Sequence, residues 1–265
     1  MPRRAVVIED DADIASLLEL ALSSQGFEVA IATDGQEGVA LVTALKPDLV
    51  TLDVGLPGID GLEVCRRIRP ITDAYVVMVT SQAEEIDRLI GLETGADDYL
   101  AKPISVRELK ARVNAMFRRP RHFFEVPDAA YDVAPVAAIA EAAGAAEHEV
   151  LRHGDLLVDV DAHRAWRAGE EVVLTPTEFD LLTTLMRSPT RVWPRALLMQ
   201  EVWGQSWGET HHVEVHMGNL RRKLGDRRGE VRFVETVRGV GYRLRAASSS
   251  TEPEPSRAPI GSSTS

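Results

Sequence analysis

The 265-residue chain predicts an α/β fold: a doubly wound (βα)5 unit built on parallel strands, followed by a smaller α+β unit. Three observations predict it. From Ala5 to Arg119, five short strand-like runs alternate with helix-periodic segments, the pattern of parallel strands joined by crossover helices. Residues 121–154 lose that periodicity and turn rich in Ala, Pro and Glu, as an interdomain linker does. Beyond them, short strands with turn-like joints precede helices and a closing strand pair. The organisation is therefore read as 1–120, a linker at 121–154, a second domain at 155–246 and a tail at 247–265.

In the first unit the strands are AVVI, FEVAI, DLVTLD, YVVMVT and DYLAK. The first helix carries Ile14, Leu17, Leu18, Ala21 and Leu22 at helical spacing and stops before Gly26. Its last helix opens with Ser105 and Glu108 at capping-box spacing and presents Val106, Leu109, Val113 and Met116. In the second unit LLVDV, RAWR and EVVL read as three antiparallel strands joined by DAH and AGE. Thr175-Pro176-Thr177-Glu178 is a capping box with proline at the first helical position, and Phe179, Leu182 and Met186 continue the apolar face. Val213, Met217, Leu220 and Leu224 form a helical stripe that must face a core. RFVETVRGVGYRL reads as a hairpin around Gly239-Val240-Gly241. The tail has almost nothing to bury, so disorder is expected there.

Composition narrows the function. No run of eighteen apolar residues and no signal-peptide core occurs, which predicts a soluble, cytoplasmic protein with no membrane partner. Cys65 is the single cysteine, so an intrachain disulfide is excluded and thiolate metal binding disfavoured. The net charge of −11 does not exclude nucleic acid, because it is unevenly spread. Residues 1–120 carry 13 basic against 20 acidic side chains, whereas 210–245 carry 9 against 4. A basic patch acts locally, within a screening length.

Carboxylates gather at strand C-terminal ends: Glu9, Asp10 and Asp11 after the first strand, Asp53 at the end of the third. In an open parallel sheet those ends line the ligand crevice. Carboxylates packed there repel one another unless a hard cation joins them, which makes Mg²⁺ the natural cofactor. Thr80 and Lys102 converge on the same edge, where a hydroxyl and an ammonium would stabilise a phosphoryl group on a central carboxylate. Acidic groups after strand one, Asp after three, Thr after four and Lys-Pro after five resemble the receiver domain of two-component response regulators, a flavodoxin-like fold. The resemblance covers residues 3–119, including LPGIDGLEVCRRIR and GLETGADDYLAKP.

That resemblance implies Asp53 as phosphoacceptor from a sensor histidine kinase, with Glu9, Asp10, Asp53 and the Gly55 carbonyl holding Mg²⁺. It implies Thr80 and Lys102 as phosphoryl-binding groups, Tyr99 as an aromatic switch, and a cis Lys102-Pro103 bond. Ser81 stands where the family often has Ala. In the OmpR/PhoB-type subfamily the responding face comprises the fourth helix, fifth strand and fifth helix, which implies homodimerisation through Arg88, Asp97, Asp98, Glu108, Arg112 and Arg118.

On the helix opposite its apolar stripe lie His211, Val215, Gly218, Asn219 and Arg222: cations for phosphates, an amide for adenine, a methyl group for thymine. TPTEFDLL, VWPRALLMQEVWG, VEVHMGNLRRKLG and TVRGVGYRL, in that order, resemble the OmpR/PhoB-type winged helix-turn-helix domain over 155–246. The resemblance implies base reading by Val215 and Asn219, and phosphate contacts by His211, His212, His216 and Arg221. It implies Trp203 near the DNA backbone, Thr236, Arg238 and Gly239 in a minor-groove wing, and GQSWGE as an RNA polymerase contact. His211 and His212 replace an Arg-Thr pair frequent in the family, and three histidines without a ligand pattern do not suggest zinc. The function expected is a phosphorylation-controlled transcription factor binding double-stranded promoter DNA, not an enzyme. One rival is a Mg²⁺-dependent phosphohydrolase of haloacid dehalogenase type, whose second aspartate is here Gly55. Another is a constitutive DNA binder.

Overall fold

A computed structural model describes residues 2–81, 95–117, 149–204, 211–226 and 232–246. The first sheet has the order β2-β1-β3-β4-β5, all pairs parallel, from β1 (Arg3–Ile8), β2 (Phe27–Ala32), β3 (Leu49–Asp53), β4 (Tyr75–Thr80) and β5 (Asp98–Ala101). β3 and β4 are buried on both faces, which explains their largely apolar runs. Helices α1 (Ala12–Ser23), α2 (Gly35–Leu45), α3 (Gly61–Ile68) and α4 (Val106–Met116) cover the two faces. The tail and nearly all of the linker, with Arg88 and Arg118, lie outside the described residues.

Three of the helix starts repeat one device. Asp11, Asp34 and Asp60 each accept hydrogen bonds from first-turn amides of α1, α2 and α3, satisfying donors that no helical carbonyl can reach. Ser105 caps α4 in the same way, but Glu108 turns to Arg112 rather than closing a capping box. Leu17, expected on the apolar face of α1, is 37% exposed, and Ala15 takes its place in the core.

The second domain contains a four-stranded antiparallel sheet, β6 (Val150–His153), β7 (Leu156–Asp159), β8 (Arg164–Arg167) and β9 (Glu170–Glu171). β6 begins inside the stretch assigned to the linker, so the sheet starts before the expected boundary at 155. Its short, half-exposed run lacked the alternation that marks a strand. The EVVL strand is also shorter than expected: only Glu170 and Glu171 pair with β8, and Val173 is 79% exposed.

Three helices follow, α5 (Pro176–Arg187), α6 (Arg195–Trp203) and α7 (His211–Leu224). The capping box at Thr175 and Glu178 forms as the sequence predicts. A second sheet, β10 (Trp193–Pro194), β12 (Gly241–Leu244) and β11 (Val234–Val237), carries the hairpin. A Cβ at Gly241 would lie 1.9 Å from the Trp193 carbonyl oxygen, so only glycine lets β12 approach β10. Val213, Met217, Leu220 and Leu224 are all buried, as their spacing requires. No described helix is long and apolar enough to cross a membrane.

Candidate functional site

The strand ends of the first sheet assemble one acidic pocket. Glu9 follows β1 and is 1% exposed, Asp53 ends β3, and exposed Asp10 stands beside them. Asp11, next in sequence, is committed to capping α1, which divides the acidic run into two pocket carboxylates and one cap. Glu9, Asp10 and Asp53 each offer a carboxylate oxygen, all within 4.8 Å of one another. Gly55 sits close by, its Cβ position 3.8 Å from Asp53 Oδ2.

Lys102 Nζ reaches Glu9 Oε1 at 2.8 Å and Asp53 Oδ2 at 3.1 Å. The cis Lys102-Pro103 bond is present, and the Lys102 amide donates to the Thr80 carbonyl at 2.7 Å. Thr80 ends β4 and is buried beside this edge. Burial pushes the Glu9 carboxyl up, against the Lys102 hydrogen bond that lowers it. Burial works the other way on Lys102, but Glu9 and Asp53 outweigh it and raise its value. The pocket is thus one cation among three carboxylates, and Glu9 Oε2 is buried without a hydrogen-bond partner. An orphaned carboxylate oxygen within an all-oxygen donor set fits a hard divalent cation such as Mg²⁺.

Sequence reasoning missed Gly61. A Cβ there would sit 2.1 Å from the Asp53 carbonyl oxygen, so glycine alone lets α3 start against the strand that carries Asp53. The glycine in PGIDG was visible, but nothing local signals a contact eight residues back.

A second constellation joins the two domains. Asp97 is fully buried and accepts from the Val76 amide at 2.9 Å, the Thr177 amide at 3.0 Å and the Arg69 guanidinium. The Trp203 indole donates to the Asp97 carbonyl at 3.3 Å, and Tyr75 donates its hydroxyl to Asp180 at 3.1 Å. Asp98, also fully buried, receives Arg112 at 2.7 and 2.8 Å and lies 3.5 Å from His212 Nδ1. Burial alone would raise the Asp98 carboxyl; Arg112 and His212 outweigh it and hold it at about 2. Tyr99 meets the His212 ring edge-on at 6.1 Å, His216 lies 5.4 Å from Trp203, and Val215 packs against the core of the first domain.

Asp97, Asp98 and Arg112 of the expected dimer face are therefore turned inward, while Glu108 is partly exposed. Asp97 and Asp98 have no exposed surface and Arg112 very little, because they hold the second domain and each other. The expected DNA-reading residues divide. Trp203, His212 and His216 are buried and Val215 is partly covered, whereas Gly218 and Arg222 are exposed and Asn219 half-buried. Thr236, Arg238 and Gly239 stand exposed on the wing. Arg221 serves the interior: it donates to the Val234 carbonyl and to Thr236 Oγ1 at 2.7 Å each, fastening wing to helix. The His211 side chain and residues 205–209 of GQSWGE lie outside the described residues.

Comparison with known proteins agrees with this two-part reading. Residues 5–114 match the response regulator receiver domain, and 169–244 match the C-terminal domain of transcriptional regulatory proteins. The chain is 39% identical over 244 residues to the DNA-binding response regulator MtrA of Mycobacterium tuberculosis (strain ATCC 25618 / H37Rv), covering 92% of this chain and 97% of MtrA. It is 43% identical over 241 residues to the transcriptional regulatory protein CseB of Streptomyces coelicolor, covering 90% of this chain and 96% of CseB. Among solved structures, a cysteine-to-serine mutant of RitR superposes with a TM-score of 0.69 at 26% identity, over 92% of this chain and 100% of that one.

Proposed function

Because the chain belongs to the response regulators that join a receiver to an OmpR/PhoB-type DNA-binding domain, we propose that phosphorylation of Asp53 frees the helix that reads DNA. The family consists of DNA-binding transcriptional regulators and not of enzymes, which removes the phosphohydrolase reading. A sensor kinase and DNA are its general partners, and receiver domains generally bind Mg²⁺ at an acidic pocket.

In the step proposed, an Asp53 carboxylate oxygen attacks the phosphorus of a phosphohistidine on the sensor histidine kinase. An O–P bond forms, the donor N–P bond breaks, and the imidazole leaves with the electron pair. Lys102, already 3.1 Å from Asp53, neutralises charge gathering on the phosphoryl oxygens, and Thr80 offers them its hydroxyl. Glu9, Asp10, Asp53 and the Gly55 carbonyl would hold Mg²⁺, which supplies further neutralisation when bound. The observation that carries the reading is Asp53 held beside Lys102 with an orphaned Glu9 oxygen facing the same pocket.

The signal route runs along neighbouring strands. Thr80 pairs in register with Ala101, and Met78 with Tyr99, so a shift of Thr80 toward the phosphoryl group is felt beside Tyr99. Tyr99 touches His212 at the start of the reading helix. Two uses compete for Asp97, Asp98 and Arg112: clasping the second domain, or pairing with a second receiver in a homodimer. They cannot serve both at once, so opening precedes dimerisation and promoter binding. Recruitment of RNA polymerase and a cytoplasmic location complete the proposal.

Acetyl phosphate or phosphoramidate, with Mg²⁺, tests the chemistry directly. An acid-stable, base-labile acyl phosphate on Asp53 is expected; an unmodified Asp53, or label elsewhere, would refute the assignment.

A further inference from the structure

We infer that acid also opens the interdomain clasp, by protonation of His216 at its centre. The inference rests on the closed arrangement proposed above and adds a second input to it.

His216 is 3% exposed, enclosed by the Trp203 ring on α6 and by the receiver face. The charged groups facing it are Asp97 just before β5, Asp98 at its start, Arg69 after α3, and His212 one turn back on its own helix. Neither carboxylate is free to receive a new cation. Asp97 is committed to Arg69 and to the Val76 and Thr177 amides, and Asp98 to Arg112 and the Tyr99 amide. A proton on His216 would thus place a new charge in a closed interface whose carboxylates are already paired, beside Arg69 and His212. Burial accordingly lowers His216 to about 4, despite the raising influence of Asp97. Once the domains part, the imidazole faces water and regains an ordinary value of about 6.5.

The sign follows from these two values. The open state binds the proton more tightly, so the closed state is fully favoured above about pH 6.5 and loses ground as pH falls toward 4. Between pH 7.5 and 5.5 the open-to-closed ratio should rise about tenfold.

The test uses the full chain carrying fluorophores at Leu20→Cys and Val240→Cys, both exposed positions, the native Cys65 being buried. Without phosphodonor, the ratio of long- to short-distance populations should rise about tenfold from pH 7.5 to 5.5 in the wild type and stay nearly constant in His216→Gln. A wild type insensitive to pH, or a His216→Gln chain that responds equally, overturns the inference. Imidazole titration of the unsubstituted chain by NMR needs no variant: a His216 midpoint well below 6.5 supports it, and an ordinary midpoint overturns it. Phosphodonor added at pH 7.5 tests the underlying reading separately. If it fails to lengthen the distance while acid does, phosphorylation control falls and the histidine device stands.

Discussion

Asp97 and Asp98 are adjacent carboxylates with opposite loyalties. Asp97 joins its own domain to the Thr177 amide of the other, and Asp98 anchors the Arg112 guanidinium beside His212. Removing Arg69 leaves Asp97 buried without its cation, so Arg69→Ala should destabilise the chain by about 3–5 kcal/mol in denaturant unfolding. It should also raise the DNA affinity of unphosphorylated protein, since it loosens the clasp. The Asp98 value of about 2 lies below its ordinary 3.8, so its contribution is complete above 3.8 and fades as pH falls toward 2. Asp98→Asn should therefore flatten the acid limb of stability against pH; an unchanged limb would show the carboxylate to be idle. The Asp53, Thr80 and Lys102 constellation was legible in the sequence because each residue ends a strand and parallel topology brings strand ends together. Gly61 was not, since its need for a missing Cβ arises only when α3 meets β3 in space.

At the scale of elements, α7 has two faces with separate duties. Its apolar stripe was legible from helical spacing alone, and Leu220 lies fully buried there. Leu220→Ala should cost about 2–5 kcal/mol of stability through the cavity it opens. Arg221, read from the sequence as a phosphate contact, fastens the wing through Val234 and Thr236. Arg221→Ala should thus lower the melting temperature and weaken binding to every DNA sequence together, whereas Asn219→Ala should relax preference at one base position. Loss of affinity by Arg221→Ala at unchanged melting temperature would return Arg221 to a purely phosphate-binding role. β6 escaped sequence reading, and β9 is shorter than the strand read at EVVL, for a common reason: edge strands with half-exposed or exposed residues lack the alternation that a buried face imposes.

Across the whole molecule, the two functional faces occupy one another. The domains were legible as separate units, but their docking was not, because it joins residues eighty or more positions apart without a local pattern. Asp97 with Thr177, Trp203 with Asp97 and Tyr75 with Asp180 span 80, 106 and 105 residues. On the proposed function, the closed arrangement gives a physical reason for control at a distance: if α7 reads DNA, it can grip fully only after the receiver that half-covers it lets go. On the same proposal, the clasp makes DNA binding depend on the chemistry at Asp53.

The most direct measurement is promoter affinity of the full chain at fixed salt, before and after a small phosphodonor with Mg²⁺, for wild type and Asp53→Asn in parallel. The account predicts tighter binding by treated wild type only, in step with acyl phosphate on Asp53. Full labelling of Asp53 with no change in affinity would contradict it, as would equal tightening by Asp53→Asn.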